Sequence, residues 1–229
     1  MLPDKDGLLR KTPLAMRLSE PDRRRLADVA SVRSYKKGEL LFSEGDPSEY
    51  LFNVTSGRVK IVKLLPGGRE LILELLGAGD PVGAIAVYEE RPYPASAVAL
   101  EDVCCVLVRR GALFALLESC PTLARGLLAG LSLRLVQLTQ RLGELAGGRV
   151  EARFAQLFLK LSDRLGQPRA EGTYIPLPLS RQDLADLTGT TIETSIRIMS
   201  RWGKDDVVHT DKNGFLVSAR QTLEQLVGG

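Results

Sequence analysis

The hydrophobic period of the chain changes partway along it. From residue 31 to 109 apolar and polar positions alternate in short runs, "GELLFSEGD", "YLFNVTSGRVKIVKLLPGGRELILELLGAGD" and "ASAVALEDVCCVLV", each bounded by Gly, Pro, Asp or Asn. A period of two over such short segments predicts β-strands. Within them "GRVKIVKLLPGGRELILEL" predicts a hairpin, with Val59, Ile61, Leu71 and Leu73 on its strands and Pro66-Gly67-Gly68 at its turn. Roughly six or more strands in about 80 residues predict an antiparallel jelly roll or barrel. Ahead of them, Ser19 before Glu20-Pro21, with Leu26 and Val29 following, predicts a short capped helix within residues 14–30.

After Pro121 the period becomes helical. Leu128, Leu131, Leu135, Leu138, Leu142 and Leu145 follow one another at steps of 3, 4, 3, 4 and 3 residues, the spacing of a coiled-coil seam. Leu123, Leu127 and Leu133 fall off that seam and suit packing on the barrel. The same run also fits a helix inside a monomeric core, but two apolar stripes favour a helix shared with a partner chain. Gly147-Gly148 then interrupt the pattern and predict a hinge. Beyond them "RVEARFAQLFLKLSDRL" predicts an amphipathic helix with Val150, Phe154, Leu157, Phe158, Leu161 and Leu165 inward. The fold class is α+β: an antiparallel jelly roll or barrel over residues 1–120, a dimerisation helix over 121–146, and a second domain over 147–229.

That second domain carries the candidate chemistry. "SRQDLADLTGTTIETSIRIMSRWG", residues 180–203, predicts two short helices around a tight turn. Ser180 and Asp183 form a capping signal, Leu184 and Leu187 face inward, Ala185 allows close helix approach, and Gly189 supplies the turn. Thr190 and Thr191 cap the second helix. Its Ile192, Ile196, Ile198 and Met199 are expected to supply apolar contacts, and Glu193, Thr194, Arg197 and Arg201 a polar face. Glu193 and Arg197 are four apart, so they share that face. The pair suits a surface salt bridge, yet in a helix-turn-helix it suits base reading: Arg197 can donate twice to guanine, and Glu193 can accept from cytosine N4. "DDVVHTDKNGFLVSAR" adds a hairpin with Asn213-Gly214 as its turn, completing a winged helix-turn-helix. His209, in the wing strand, reads as an ordinary surface or cap residue.

Charge changes this picture only by where it sits. Lys+Arg 31 against Asp+Glu 28 leaves +3, so any nucleic-acid surface must be local. Residues 148–229 hold 11 basic and 10 acidic side chains, but Arg181, Arg197, Arg201, Lys204 and Lys212 gather in the motif and just after it. Cys104, Cys105 and Cys120 form no CxxC pair and read as small buried side chains in a reducing cytosol. With one histidine, His209, no zinc site of the usual spacing can be assembled, and residues 31–109 lack the histidines that a metal-dependent barrel enzyme needs. No enzymatic activity and no cofactor are expected. No apolar run nears the ~18 residues of a membrane span, and "MLPDKDGLLRK" lacks a signal core. A cytoplasmic location is expected, with no membrane partner.

Across nearly its whole length the sequence resembles the Crp/Fnr family of bacterial transcription factors. "SGRVKIVKLLPGGRELILELLGAGD", the leucine helix and above all "LSRQDLADLTGTTIETSIRIMSRW" carry the likeness. The resemblance implies a homodimer on a two-fold symmetric double-stranded DNA site with TGA-like half-sites, working with RNA polymerase. Glu193, Thr194 and Arg197 match the family's recognition pattern, while Ile192 stands where some members have an arginine and suits a thymine methyl instead. Base readers are thus Ile192, Glu193 and Arg197, and phosphate contacts are Ser180, Arg181, Thr191, Thr194 and Lys212.

The stretch "VGAIAVYEERPYPASAV", Val82 to Val98, has the outline of the family's effector cassette. Cyclic-AMP-responsive relatives place glutamate, then arginine and serine there, with Thr-Ser on the long helix. Here Gly83 is kept, but those positions hold Ala84, Pro94 and Ala95, with Leu138 and Thr139 on the helix. A phosphate would meet no placed cation, and burying an uncompensated anion costs several kcal/mol. Arg91 or Ser96 could substitute only in a shifted frame. An N-terminal cysteine cluster for iron–sulfur sensing is absent, and the barrel offers no evident haem histidine. A modified pocket for an apolar effector and a ligand-free switch both remain, and the leucine at 138 favours the latter. The rival reading from another class is a regulatory ligand-binding module that acts through protein docking.

Overall fold

The computed structural model describes residues 5–10, 12, 18–66, 68, 70–84, 87, 90–146 and 149–228. By internal contacts the chain divides into two compact units, Met1–Val136 and Gln137–Gly229. The expected hinge at Gly147-Gly148 lies outside the described residues.

In the first unit, α1 (Lys5–Leu9) and α2 (Glu20–Val29) precede eight strands. These are β1 (Ala30–Tyr35), β2 (Leu40–Phe42), β3 (Tyr50–Ser56), β4 (Val59–Leu64), β5 (Glu70–Leu76), β6 (Pro81–Val82), β7 (Ser96–Ala99) and β8 (Val103–Arg109). They pair antiparallel in two four-stranded sheets, ordered β1-β8-β3-β6 and β2-β7-β4-β5. Alternation of side chains across each strand fills one core with Leu51, Val54, Val59, Val106 and Leu107. Ser19 caps α2 as expected, accepting the Asp22 N–H at 3.3 Å. Leu26 is fully buried there, while Val29, at the helix end, is exposed.

Two further helices follow β8. The first, α3 (Arg110–Ser119), was not anticipated from the strand-like texture before it; α4 (Pro121–Ala146) is the leucine helix. Leu113 and Leu116 of α3, with Leu123 and Leu127 of α4, join the barrel core. Each full burial contributes about 1.5–3 kcal/mol. Cys104 and Cys105, successive on β8, differ in burial as a strand requires, and burial, with Cys104 adding, pushes the Cys105 thiol up to about 12. It stays protonated and packs as a small apolar group.

The second unit holds α5 (Val150–Leu165), β9 (Gln167–Arg169), β10 (Gly172–Ile175), α6 (Arg181–Thr188), α7 (Ile192–Lys204), β11 (Val208–Asp211), β12 (Gly214–Val217) and α8 (Arg220–Gly228). Its sheet runs β11-β12-β10-β9, so the wing hairpin is half of a four-stranded sheet whose other half the sequence pattern did not show. The wing turn also sits one residue earlier than expected. Asp211 pairs with Gly214, which leaves Lys212-Asn213 as the loop. Gly214 serves close approach instead: a Cβ there would collide with the Ile175 carbonyl oxygen of β10.

An aromatic cluster ties this unit together. The Phe158 ring lies 5.9 Å from Trp202 at 68° and 5.1 Å from Phe215 at 82°, and Phe154 lies 6.3 Å from Trp202 at 87°. These edge-on contacts add to burial and pin α7 and β12 to α5. The Trp202 indole N–H donates to Glu151 Oε1 at 2.9 Å, and Arg201 forms an ion pair with the same oxygen. Burial would raise the Glu151 pKa, but these two donors hold the carboxyl below its usual range. Phe158→Ala should therefore cost about 3–5 kcal/mol. Denaturant unfolding followed by the fluorescence of Trp202, the chain's one tryptophan, should show the midpoint falling accordingly.

Candidate functional site

Local chemistry builds the helix-turn-helix from its caps outward. The Ser180 hydroxyl accepts the Asp183 N–H at 3.0 Å while the Ser180 N–H donates to Asp183 Oδ2 at 3.0 Å, a reciprocal capping box that starts α6. The helix ends at Gly189, whose φ of 66° closes the turn through a hydrogen bond to the Ala185 carbonyl. Thr191 then caps α7, accepting the Thr194 N–H at 3.4 Å. Ala185, Leu184 and Leu187 are all buried beneath the turn.

On α7, steps of 100° per residue divide the side chains into two sets. Ser195, Ile198, Met199 and Trp202 are buried. Glu193, Ile196, Arg197, Ser200 and Lys204 are exposed. The expectation that Ile196 packs inward is thus corrected: it is 50% exposed and flanks Arg197 on the outer face. Ile192, the first helical residue, is half-buried. Arg201, exposed as expected of the polar face, also pairs with Glu151. No ion pair joins Glu193 to Arg197 among the described residues. Hydrogen bonds from its own backbone N–H and from the Thr191 hydroxyl lower the Glu193 pKa, and the helix N-terminus favours the same charge. The carboxylate is therefore held ionised at the exposed start of α7.

The phosphate-contact candidates surround this face but differ in what holds them. The Ser180 hydroxyl also donates to Asp183 Oδ2 at 2.7 Å, so the capping box occupies it. Arg181 Nη2 donates to Thr210 Oγ1 of β11 at 2.6 Å, which fastens α6 to the wing, and burial lowers its pKa from the usual guanidinium value. Thr191 is exposed and Thr194 half-buried; Lys212 is exposed at the tip of the wing turn.

The cassette is built differently from the expected anion site. Ala84 and Ala95 are buried and Pro94 is exposed. Tyr93, between them in the chain, is 3% exposed and stacks on Phe42 at 3.7 Å and 16°. Its hydroxyl donates to the Tyr50 carbonyl at 2.6 Å and accepts the Tyr50 N–H at 3.3 Å. The ring lies so close to Gly83 that a Cβ there would sit 2.7 Å from it. A cation from another strand borders the cassette: Lys63 of β4 donates to the Pro94 carbonyl at 2.8 Å. Sequence spacing could not show it, because Lys63 arrives from another strand. Its charge is already met by the Glu44 carboxylate in an ion pair. Ser96, the candidate substitute, accepts the Glu44 N–H at 2.9 Å with its hydroxyl oxygen.

On α4, Leu128 and Leu135 are 65% and 66% exposed, and Val136, outside the expected seam, joins them. Leu131 is half-buried and packs against the barrel core. Leu138 is half-buried and Thr139 exposed. The side chains of Leu133, Leu142 and Leu145 lie outside the described residues. Among the described residues no single helix is long and apolar enough to cross a membrane.

Comparison with known proteins accounts for both units. Residues 32–120 match the family model for the cyclic nucleotide-binding domain, and residues 152–226 that for the Crp-like helix-turn-helix domain. The chain is 30% identical over 197 residues to the cyclic AMP receptor protein of Thermus thermophilus, covering 86% of this chain and 88% of that one. It is 27% identical over 189 residues to the CRP-like cAMP-activated global transcriptional regulator of Mycobacterium tuberculosis, covering 82% and 84%. The solved structure of FixK2 from Bradyrhizobium japonicum superposes with a TM-score of 0.75 at 29% identity, over 86% of this chain and 97% of that one. Barrel, helix-turn-helix and wing thus have one explanation: the chain belongs to the Crp/Fnr family of DNA-binding transcription regulators, which are not enzymes.

Proposed function

We propose that the chain acts in the cytoplasm as a homodimer that recognises a two-fold symmetric DNA site with TGA-like half-sites and works with RNA polymerase. The observation that carries this reading is the outer face of α7, where Glu193 and Arg197 stand exposed, one turn apart and not paired with each other. Arg197 donates to guanine O6 and N7, Glu193 accepts from cytosine N4, and Arg181, Thr191, Thr194 and Lys212 set the register on phosphates. Ser180 contributes its cap instead of a contact.

Dimerisation uses the stripe of α4 that the barrel leaves bare. Leu128 and Leu135 lie seven residues apart on it, and the leucine spacing continues through Leu138 to Leu142 and Leu145. The domain plan is an effector domain over 1–120, the dimerisation helix over 121–146 and the DNA-binding domain over 147–229. Sedimentation at micromolar concentration should give a dimer for the wild type and a monomer for Leu135→Glu, which would place two charges in the seam.

Cyclic AMP does not drive this chain in the usual manner, whatever it does for the two relatives named after it. Ala84, Pro94 and Ala95 offer a phosphate no side-chain donor, and freeing Lys63 would strand Glu44. Tyr93 ties the cassette to β2 and β3. A DNA selection with the purified protein should return an inverted repeat, and cyclic AMP should leave the binding midpoint unchanged; an obligatory nucleotide would overturn the cassette argument. On that selected site Arg197→Ala should lose about 1–3 kcal/mol and much of the preference over random duplex. Equal weakening on both would remove Arg197 from base reading.

A further inference from the structure

Arg181 is a cation without a counter-charge. It is half-buried at the start of α6, and burial lowers its pKa with no carboxylate acting the other way. Among the described residues it joins no ion pair, and its guanidinium is held by one bond, from Nη2 to Thr210 Oγ1 at 2.6 Å. A guanidinium carries five N–H donors in a planar fork, so most of them are left for an anion from outside. Taking a charge out of water without an opposite charge is costly, and a phosphate would offset that cost.

Thr210 is not explained by its strand. It is exposed on β11, opposite Phe215 of β12, where valine or isoleucine would serve the sheet equally well. What threonine adds is a hydroxyl, whose oxygen accepts from a side chain 29 residues away on another element. Resting on the reading of Arg181 as a phosphate contact, we infer that Thr210 is a positioning residue for DNA: its hydroxyl oxygen fixes the Arg181 guanidinium in advance, so that the remaining N–H groups meet a backbone phosphate. An unrestrained arginine samples many rotamers, and ordering it on association weakens binding. A bond made before the duplex arrives removes that loss. Because phosphates are the same in every sequence, the gain does not depend on base order. Thr210 thus acts unlike Arg197, whose removal is expected to flatten sequence preference.

The test measures how steeply DNA affinity falls with salt, using the full chain on its selected site and on an unrelated duplex of equal length. Losing one phosphate contact flattens the log–log slope by about 0.9, so Arg181→Gln should flatten it by about 1.8 in a dimer. Thr210→Val, which keeps the strand and deletes the hydroxyl, should give at least about half of that change, equally on both duplexes. It should add nothing to Arg181→Gln, while Thr210→Ser should retain the wild-type slope. Thr210→Ala deletes the hydroxyl a second way and should repeat the result, and circular dichroism melts matching the wild type would exclude a folding defect. A wild-type slope for Thr210→Val and Thr210→Ala overturns the positioning role even if Arg181→Gln behaves as stated. Losses that add to those of Arg181→Gln overturn it too, because Thr210 would then act on its own. A wild-type slope for Arg181→Gln removes Arg181 from the phosphate and the inference with it. A wild type that binds neither duplex would instead overturn the reading of the second unit on which all of this rests.

Discussion

The largest of the buried side chains that seat α7 is an indole. Trp202 is wedged edge-on between Phe154 and Phe158 and tethered through its N–H to Glu151. With that side of the helix committed, the remaining side cannot pack within its unit and is left to solvent. What is proposed for recognition draws on this division, which leaves Glu193 and Arg197 exposed. A helix anchored so near its C-terminal end also keeps its N-terminal turn clear, where short polar side chains and the dipole suit close approach to a duplex.

In the barrel, the same logic of commitment applies to the cassette. The segment around Pro94 is engaged by the protein's own groups: the Tyr93 ring on Phe42, its hydroxyl between the Tyr50 backbone groups, and Lys63 between Glu44 and the Pro94 carbonyl. Each of these contacts has to be broken, or its partner left uncompensated, before an anion could take its place.

Local patterns were legible in the sequence and contacts between distant segments were not. The capping box at Ser180, the turn at Gly189, the cap at Thr191 and the alternation of the barrel strands are all set by neighbours within four residues, and each appears where the sequence places it. The misses share the opposite character. Gly214 reads as a turn residue until β10 is seen to press against it. The strands β9 and β10 are too short to announce themselves, and they exist because β12 offers β10 an edge and β10 in turn offers one to β9. Lys63 comes from another strand. Ile196 looks like core from its composition, and only the 100° steps of α7 turn it outward.

Arg181 carries one more implication. Its bond to Thr210 links the first helix of the motif to the wing strand, so on the proposed DNA site the two would meet the duplex as one unit. Sequence steps that resist bending would then be disfavoured at positions no side chain touches, and the flexibility of the DNA itself would become part of what is read.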